Sequence, residues 1–135
     1  MIGIMLLDDH ALVRQALGRL LNDEPDLRVV GSFDQGAAAV AFAVRERPEV
    51  AILDVAMPGA SGIEVAVELR AASPQTRLLM LSMHDRADYV EQALRAGADG
   101  YVLKECAGAE LVAAVRAVHA GRRYLSARLE RSRGE

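Results

Sequence analysis

Ile2 to Leu7 runs into Asp8 and Asp9, Val50 to Leu53 into Asp54, Leu78 to Leu81 into Ser82, and Tyr101 to Leu103 into Lys104. If these apolar runs are parallel strands, the residues that end them meet at one edge of one sheet. Three carboxylates, a hydroxyl and an ammonium then share a crevice. Carboxylates held that close repel one another, so at least one holds a proton more tightly unless a cation is present. Oxygen ligands without imidazole or thiolate suit a hard ion, and Mg²⁺ fits best because it takes a couple of carboxylates, keeps waters and shares phosphoryl oxygens. A phosphoryl group on Asp54 would be neutralised by the metal and Lys104 and held by the Ser82 hydroxyl. The same groups would stabilise the charge that spreads over the oxygens during phosphoryl transfer. Singly, each residue is ordinary: an aspartate after a strand is commonly a cap or turn residue, and a lone lysine or serine a solvated one. Their coincidence at four strand ends carries the argument.

The elements that must position them are legible as alternating strand and helix patterns. Strands are expected at Ile2–Leu7, Arg28–Phe33, Val50–Leu53, Arg77–Leu81 and Gly100–Leu103, starting every 22 to 27 residues. They are almost continuously apolar, as strands covered on both faces are. Between them, His10 to Asn22 carries Leu12, Val13, Ala16, Leu17, Leu20 and Leu21 at helical spacing and stops before Pro25. Asp34 is expected to cap an alanine-rich helix reaching Arg47, where Pro48 ends it. Ser61 and Glu64 have capping-box spacing ahead of a helix to Ala72. Asp85 is expected to cap Ala87–Ala96, ended by Gly97, and Ala107–Ala120 stops at Gly121. Five such units with right-handed crossovers give a doubly wound α/β domain with a five-stranded parallel sheet. In strand order 2-1-3-4-5 the winding reverses between the first and third strands, where Asp8, Asp9 and Asp54 stand.

Composition narrows the class. A chain of 135 residues, 52% hydrophobic and 26% charged, is expected to fold as one globular domain. No apolar stretch approaches the roughly 20 residues that span a bilayer, and Met1 to Leu7 lacks a basic leader. The lone Cys106 cannot form an internal disulfide, which suits a reducing, cytoplasmic setting. A net charge of −3 argues against nucleic-acid binding by the domain as a whole. After Ala120 the chain carries Arg122, Arg123, Arg128, Arg131 and Arg133 against Glu130 and Glu135, and is expected to be a linker or tail over 121–135 without a recognition helix.

With these residues in view, the chain resembles a response-regulator receiver domain of two-component signalling over residues 1–120. The matching stretches are Leu7-Asp8-Asp9-His10, Leu53-Asp54-Val55-Ala56-Met57-Pro58-Gly59-Ala60-Ser61-Gly62, Leu81-Ser82 and Gly97-Ala98-Asp99-Gly100-Tyr101-Val102-Leu103-Lys104. The stretches Asp9 to Arg14, Gly100 to Lys104 and Gly121 to Ser126 are similar to the NarL/LuxR subfamily. The resemblance implies a flavodoxin-like (βα)5 fold. It implies that Asp54 is phosphorylated by a sensor histidine kinase, and that Asp9, Asp54 and the Ala56 backbone carbonyl ligate Mg²⁺, with Asp8 acting mostly through water. Ser82 and Lys104 would grip the phosphoryl oxygens, and Tyr101 would be a switch that turns inward when Ser82 is drawn to the phosphoryl group. A homodimer is implied as a possible partner state, and DNA only through a helix-turn-helix output domain lying outside this chain. Pro58, Gly59 and Gly62 read as turn-makers.

Three positions bear on rates. Met83 stands beside Ser82 where many receivers have a small residue and is expected to narrow access. Ala56 has only a methyl group and cannot position an attacking water. His84 stands where it could hydrogen-bond near the site, although a lone loop histidine is more often simply exposed. Two rivals to the switch stay open: a metal-dependent phosphohydrolase of the haloacid-dehalogenase type, which would need an aspartate where Ala56 stands, and a stand-alone receiver that serves only as a protein–protein scaffold.

Overall fold

The computed structural model describes residues 1–57 and 61–129. Strands β1 (Ile2–Leu7), β2 (Leu27–Phe33), β3 (Val50–Asp54), β4 (Arg77–Ser82), β5 (Gly100–Leu103) and β6 (Tyr124–Leu125) form one sheet in the order β2-β1-β3-β4-β5-β6, with every pairing parallel. Helices α1 (Ala11–Asn22), α2 (Gly36–Glu46), α3 (Gly62–Ala72), α4 (Ala87–Arg95) and α5 (Ala107–His119) make the crossovers. The order 2-1-3-4-5 is as expected, but the sheet has six strands where five were read. Tyr124 and Leu125 pair with Gly100 and Tyr101. A two-residue strand has too little periodicity to be seen in sequence; its partner strand creates it. Pro58 and Gly59, read as turn-makers, and residues 130–135 of the tail lie outside the described residues.

The twofold period of the strands feeds two cores. Met5, Leu7, Ala51, Leu53, Leu78, Met80, Tyr101 and Leu103 face α2, α3 and α4, where Ala39, Ala43, Val65, Leu69, Val90 and Ala93 meet them. Ile4, Leu6, Val50, Ile52, Leu79, Leu81 and Val102 face α1 and α5 and pack with Leu17, Leu21, Leu111, Val115 and Val118. Because both faces are buried, register is strongly specified: a one-residue slip would exchange the two sets. Register therefore holds the strand ends level, with Leu7 beside Leu53, Asp54 beside Leu81 and Ser82 beside Leu103.

Helix ends partly follow the sequence. Ser61 caps α3, its Oγ accepting from the Glu64 backbone N–H at 3.3 Å. Gly97 and Gly121 take φ of +105° and +86° beyond α4 and α5, as helix-ending glycines do. Asp34 and Asp85, however, are not caps. The cap positions are Gln35 and Arg86, and neither makes a side-chain capping bond. Asp85 is instead paired with Arg128 at 3.0 Å. Asp99, singled out only as part of a motif, ties β4 to the loop before β5. Its Oδ2 accepts from the Leu78 N–H at 2.8 Å and from the Arg70 guanidinium at 3.0 Å.

Candidate functional site

Asp8 follows β1, Asp54 and Ser82 are the last residues of β3 and β4, and Lys104 follows β5. The sheet brings all of them to its carboxyl edge. Asp54 is 1% exposed, with its Oδ1 accepting from the Ala56 N–H at 3.2 Å. Lys104 Nζ lies 3.2 Å from Asp54 Oδ2 and 3.2 Å from Asp8 Oδ2, so one ammonium bridges two buried carboxylates. Asp8 Oδ1 accepts from the His10 N–H at 2.8 Å and lies 3.1 Å from His10 Nδ1. The Arg14 guanidinium donates to the Asp8 carbonyl and fixes the turn into α1. His10 also lies 3.2 Å from Asp9 Oδ1. Its place beside two aspartates was visible as sequence adjacency, but its contact with both carboxylates was not.

Charge in the crevice is unbalanced. Burial and then the neighbouring Asp8 charge push the Asp54 carboxyl above the usual carboxylate range, and Lys104 and the Ala56 N–H offset this only in part. Burial acts to lower Lys104, yet the Asp54 and Asp8 charges outweigh it and leave the ammonium held more tightly than in water. Asp8 Oδ2 and Asp54 Oδ2 are buried against the shared Lys104 ammonium, and Asp9 Oδ1 is buried against His10. Ligand atoms of Asp8, Asp9, His10 and Asp54 lie within 4.8 Å of one another. Three carboxylates against one ammonium leave excess negative charge and spare oxygen lone pairs, which fit a hard divalent cation.

Ser82 is buried, and its Oγ accepts from the His84 N–H at 2.9 Å. The Tyr101 hydroxyl donates to the His84 carbonyl at 2.8 Å, and the Tyr101 ring is fully buried, which pushes its phenol up. Tyr101 is therefore inward in this structure. His84 is no idle loop residue: both its backbone groups are held, and its ring stacks on Tyr89 with centroids 4.3 Å apart. Met83 is 79% exposed and, with Lys104 and Glu105, lines a shallow cavity of about 460 Å³ beside the site.

A family model for the response regulator receiver domain matches residues 4–116. The chain belongs to the receiver family. The DNA-binding transcriptional activator DevR/DosR of Mycobacterium tuberculosis is 41% identical over 128 residues, which are 95% of this chain and 59% of that protein. The transcriptional regulatory protein UhpA of Escherichia coli is 43% identical over 126 residues, 93% of this chain and 63% of that one. This receiver thus spans about three fifths of the length of these curated relatives. Among solved structures, a LuxR-family two-component response regulator from Aurantimonas superposes with a TM-score of 0.93 at 34% identity, covering 98% of each chain. A LuxR-family DNA-binding response regulator from Staphylococcus aureus gives a TM-score of 0.81 at 30% identity, covering 88% of this chain and 99% of that one. The relatives place this receiver among the NarL/LuxR-type regulators.

Proposed function

We propose that this receiver is the phosphoacceptor of a two-component system. A sensor kinase presents a phosphohistidine; an Asp54 carboxylate oxygen forms the new O–P bond as the N–P bond breaks, and the electron pair stays on the imidazole nitrogen, which takes up a proton. The observation that carries the reading is Asp54 itself, buried at the switch point with its Oδ2 bridged by Lys104 to the Asp8 carboxylate. Asp9, Asp54 and the Ala56 carbonyl would hold Mg²⁺, with Asp8 through water. Bound there, Mg²⁺ supplies positive charge against the charge that spreads over the phosphoryl oxygens. Lys104 exchanges its bridge for the phosphoryl oxygens, the Ser82 hydroxyl, which accepts from the His84 N–H, donates its own proton to one of them, and Tyr101 holds the His84 carbonyl.

This makes a switch rather than a turnover enzyme, because Ala56 offers neither an acid nor a group to orient water. The receiver, residues 1–120, would act in the cytoplasm and drive an output domain joined beyond its last helix. The DNA-binding transcriptional activator among its relatives supports a DNA-binding output and transcription regulation; a helix-turn-helix form of that output and a homodimeric active state are part of the same proposal. Among the described residues no helix is long and apolar enough to cross a membrane.

Incubation with acetyl phosphate and Mg²⁺ is expected to yield one hydroxylamine-labile phosphoryl adduct by mass spectrometry, absent in Asp54→Ala and with EDTA. An unmodified wild-type protein would sink the proposal. The phosphoryl group is expected to be long-lived, because Met83 borders the approach past Lys104. Met83→Ala should shorten its half-life severalfold, and an unchanged decay rate would remove Met83 from the account.

A further inference from the structure

The chain beyond α5 folds back onto the elements that carry Ser82 and Lys104. The Ser126 N–H donates to the Tyr101 carbonyl at 3.0 Å, and the fully buried Ser126 hydroxyl accepts from the Leu103 N–H at 2.9 Å. Leu125 and Leu129 are buried in the same core cluster as Tyr101, Leu103, Val90 and Ala93. Glu110 Oε2 on α5 accepts from the Ala127 N–H at 3.3 Å. Arg128 completes the set: its Nη2 lies 3.0 Å from Asp85 and 2.7 Å from Glu105. Asp85 is three residues past Ser82, and Glu105 follows Lys104 directly.

We propose that residues 124–129 form a strap released by phosphorylation, latched by Arg128 across the two loops that carry Ser82 and Lys104. The idea rests on the phosphoacceptor reading above. Exposed ion pairs are individually weak, so the buried Ser126, Leu125 and Leu129 seat the strap while Arg128 makes it sensitive to the loops. The Ser82 hydroxyl can accept from the His84 N–H and donate to a phosphoryl oxygen at once, so drawing Ser82 toward a phosphoryl group on Asp54 pulls on the loop bearing Asp85 through the His84 bond. Lys104 leaves Asp8 for the phosphoryl group and carries Glu105 with it. Arg128 is bonded to both loops, so a shift of either one strains the latch. A ligand shifts an equilibrium only by its differential interaction with the two states, and this contact exists in one of them. Coupling is reciprocal, so weakening the latch must also favour the phosphorylated form.

Amide hydrogen exchange of this chain with Mg²⁺ and beryllofluoride, a phosphoryl mimic, tests the strap, with ¹⁹F NMR reporting occupancy at Asp54 independently. The Ser126 and Leu103 amides are expected to exchange roughly tenfold faster on binding, while β1–β2 amides stay unchanged. Arg128→Gln should exchange about threefold faster at the same amides without beryllofluoride and bind the mimic at lower concentration than wild type. A bound ¹⁹F signal with Ser126 and Leu103 still protected would overturn the strap alone. No bound signal would overturn the phosphoacceptor reading and the strap with it. An Arg128→Gln variant that binds the mimic as wild type does would show that the latch is not the coupling.

Discussion

Lys104→Met is expected to destabilise the metal-free receiver by about 3 kcal/mol at neutral pH, because it leaves two buried carboxylates facing each other without their shared cation. Lys104 is only 18% exposed in its side chain, and Asp8 and Asp54 less than that. The pH dependence identifies the cause. Asp54 already sits above the usual carboxylate range through burial and the Asp8 charge, and removing Lys104 takes away a downward influence. A raised native carboxyl binds more protons than the unfolded chain between the two pKa values, so stability falls as pH rises through that window. The deficit of the variant should be small at acid pH, where Asp54 is protonated, and grow toward neutrality. Lys104 itself is held above its ordinary value, so its contribution is complete at every pH below the unfolded lysine value and adds no slope there. Urea unfolding across pH, with EDTA present, measures this. Lys104→Met combined with Asp54→Asn should recover most of the loss; a double variant as unstable as the single one would show that lost packing, not the orphaned charge, is responsible.

Gly62→Ala is expected to be still more damaging to phosphoryl uptake. A Cβ on Gly62 would lie 2.0 Å from the Asp54 carbonyl oxygen, 2.7 Å from its carbonyl carbon and 3.1 Å from Val55 Cα. These are backbone atoms and cannot rotate aside. The Gly62 N–H also donates to the Val55 carbonyl at 3.0 Å, which seats the start of α3 on the end of β3. The added methyl must push the helix or the strand end away, costing about 3 kcal/mol. A displacement of about 1 Å at a reacting group lowers its rate roughly a hundredfold. Acetyl phosphate labelling and thermal unfolding of the variant should both show the loss. Gly18→Ala is the control, since nothing lies within 4 Å of a Cβ there and the residue is inside α1. It should raise stability by about 1 kcal/mol and leave labelling unchanged. Normal labelling of Gly62→Ala would mean that the Asp54 backbone tolerates more movement than this packing allows.

Much of the site was legible because its logic is local. Apolar runs bounded by chemistry-bearing residues mark strand ends, and parallel topology carries those ends to one edge whatever the details of packing. The crossover helices were readable by their spacing, and Ser61 by its distance from Glu64. Asp34 and Asp85 show the limit of such signals. Both have capping chemistry one residue too early, and Asp85 pairs instead with Arg128, far away in the chain. Gly62 looked like a turn residue, yet its requirement comes from the approach of the Asp54 backbone rather than from its own torsion angles.

What the amino-acid sequence determined by itself is the alternation of strands and helices, the two buried faces and the residues that end each strand, because twofold and 3.6-fold periodicities are properties of neighbouring residues. The order 2-1-3-4-5 came from the resemblance to receiver domains. Tertiary structure alone decided the sixth strand, the inward Tyr101, the Lys104 bridge and the grip of Arg128 on two loops. Each of those depends on contacts between residues distant in sequence. Such contacts have no period to read, and they arise only once the sheet has brought their partners within reach.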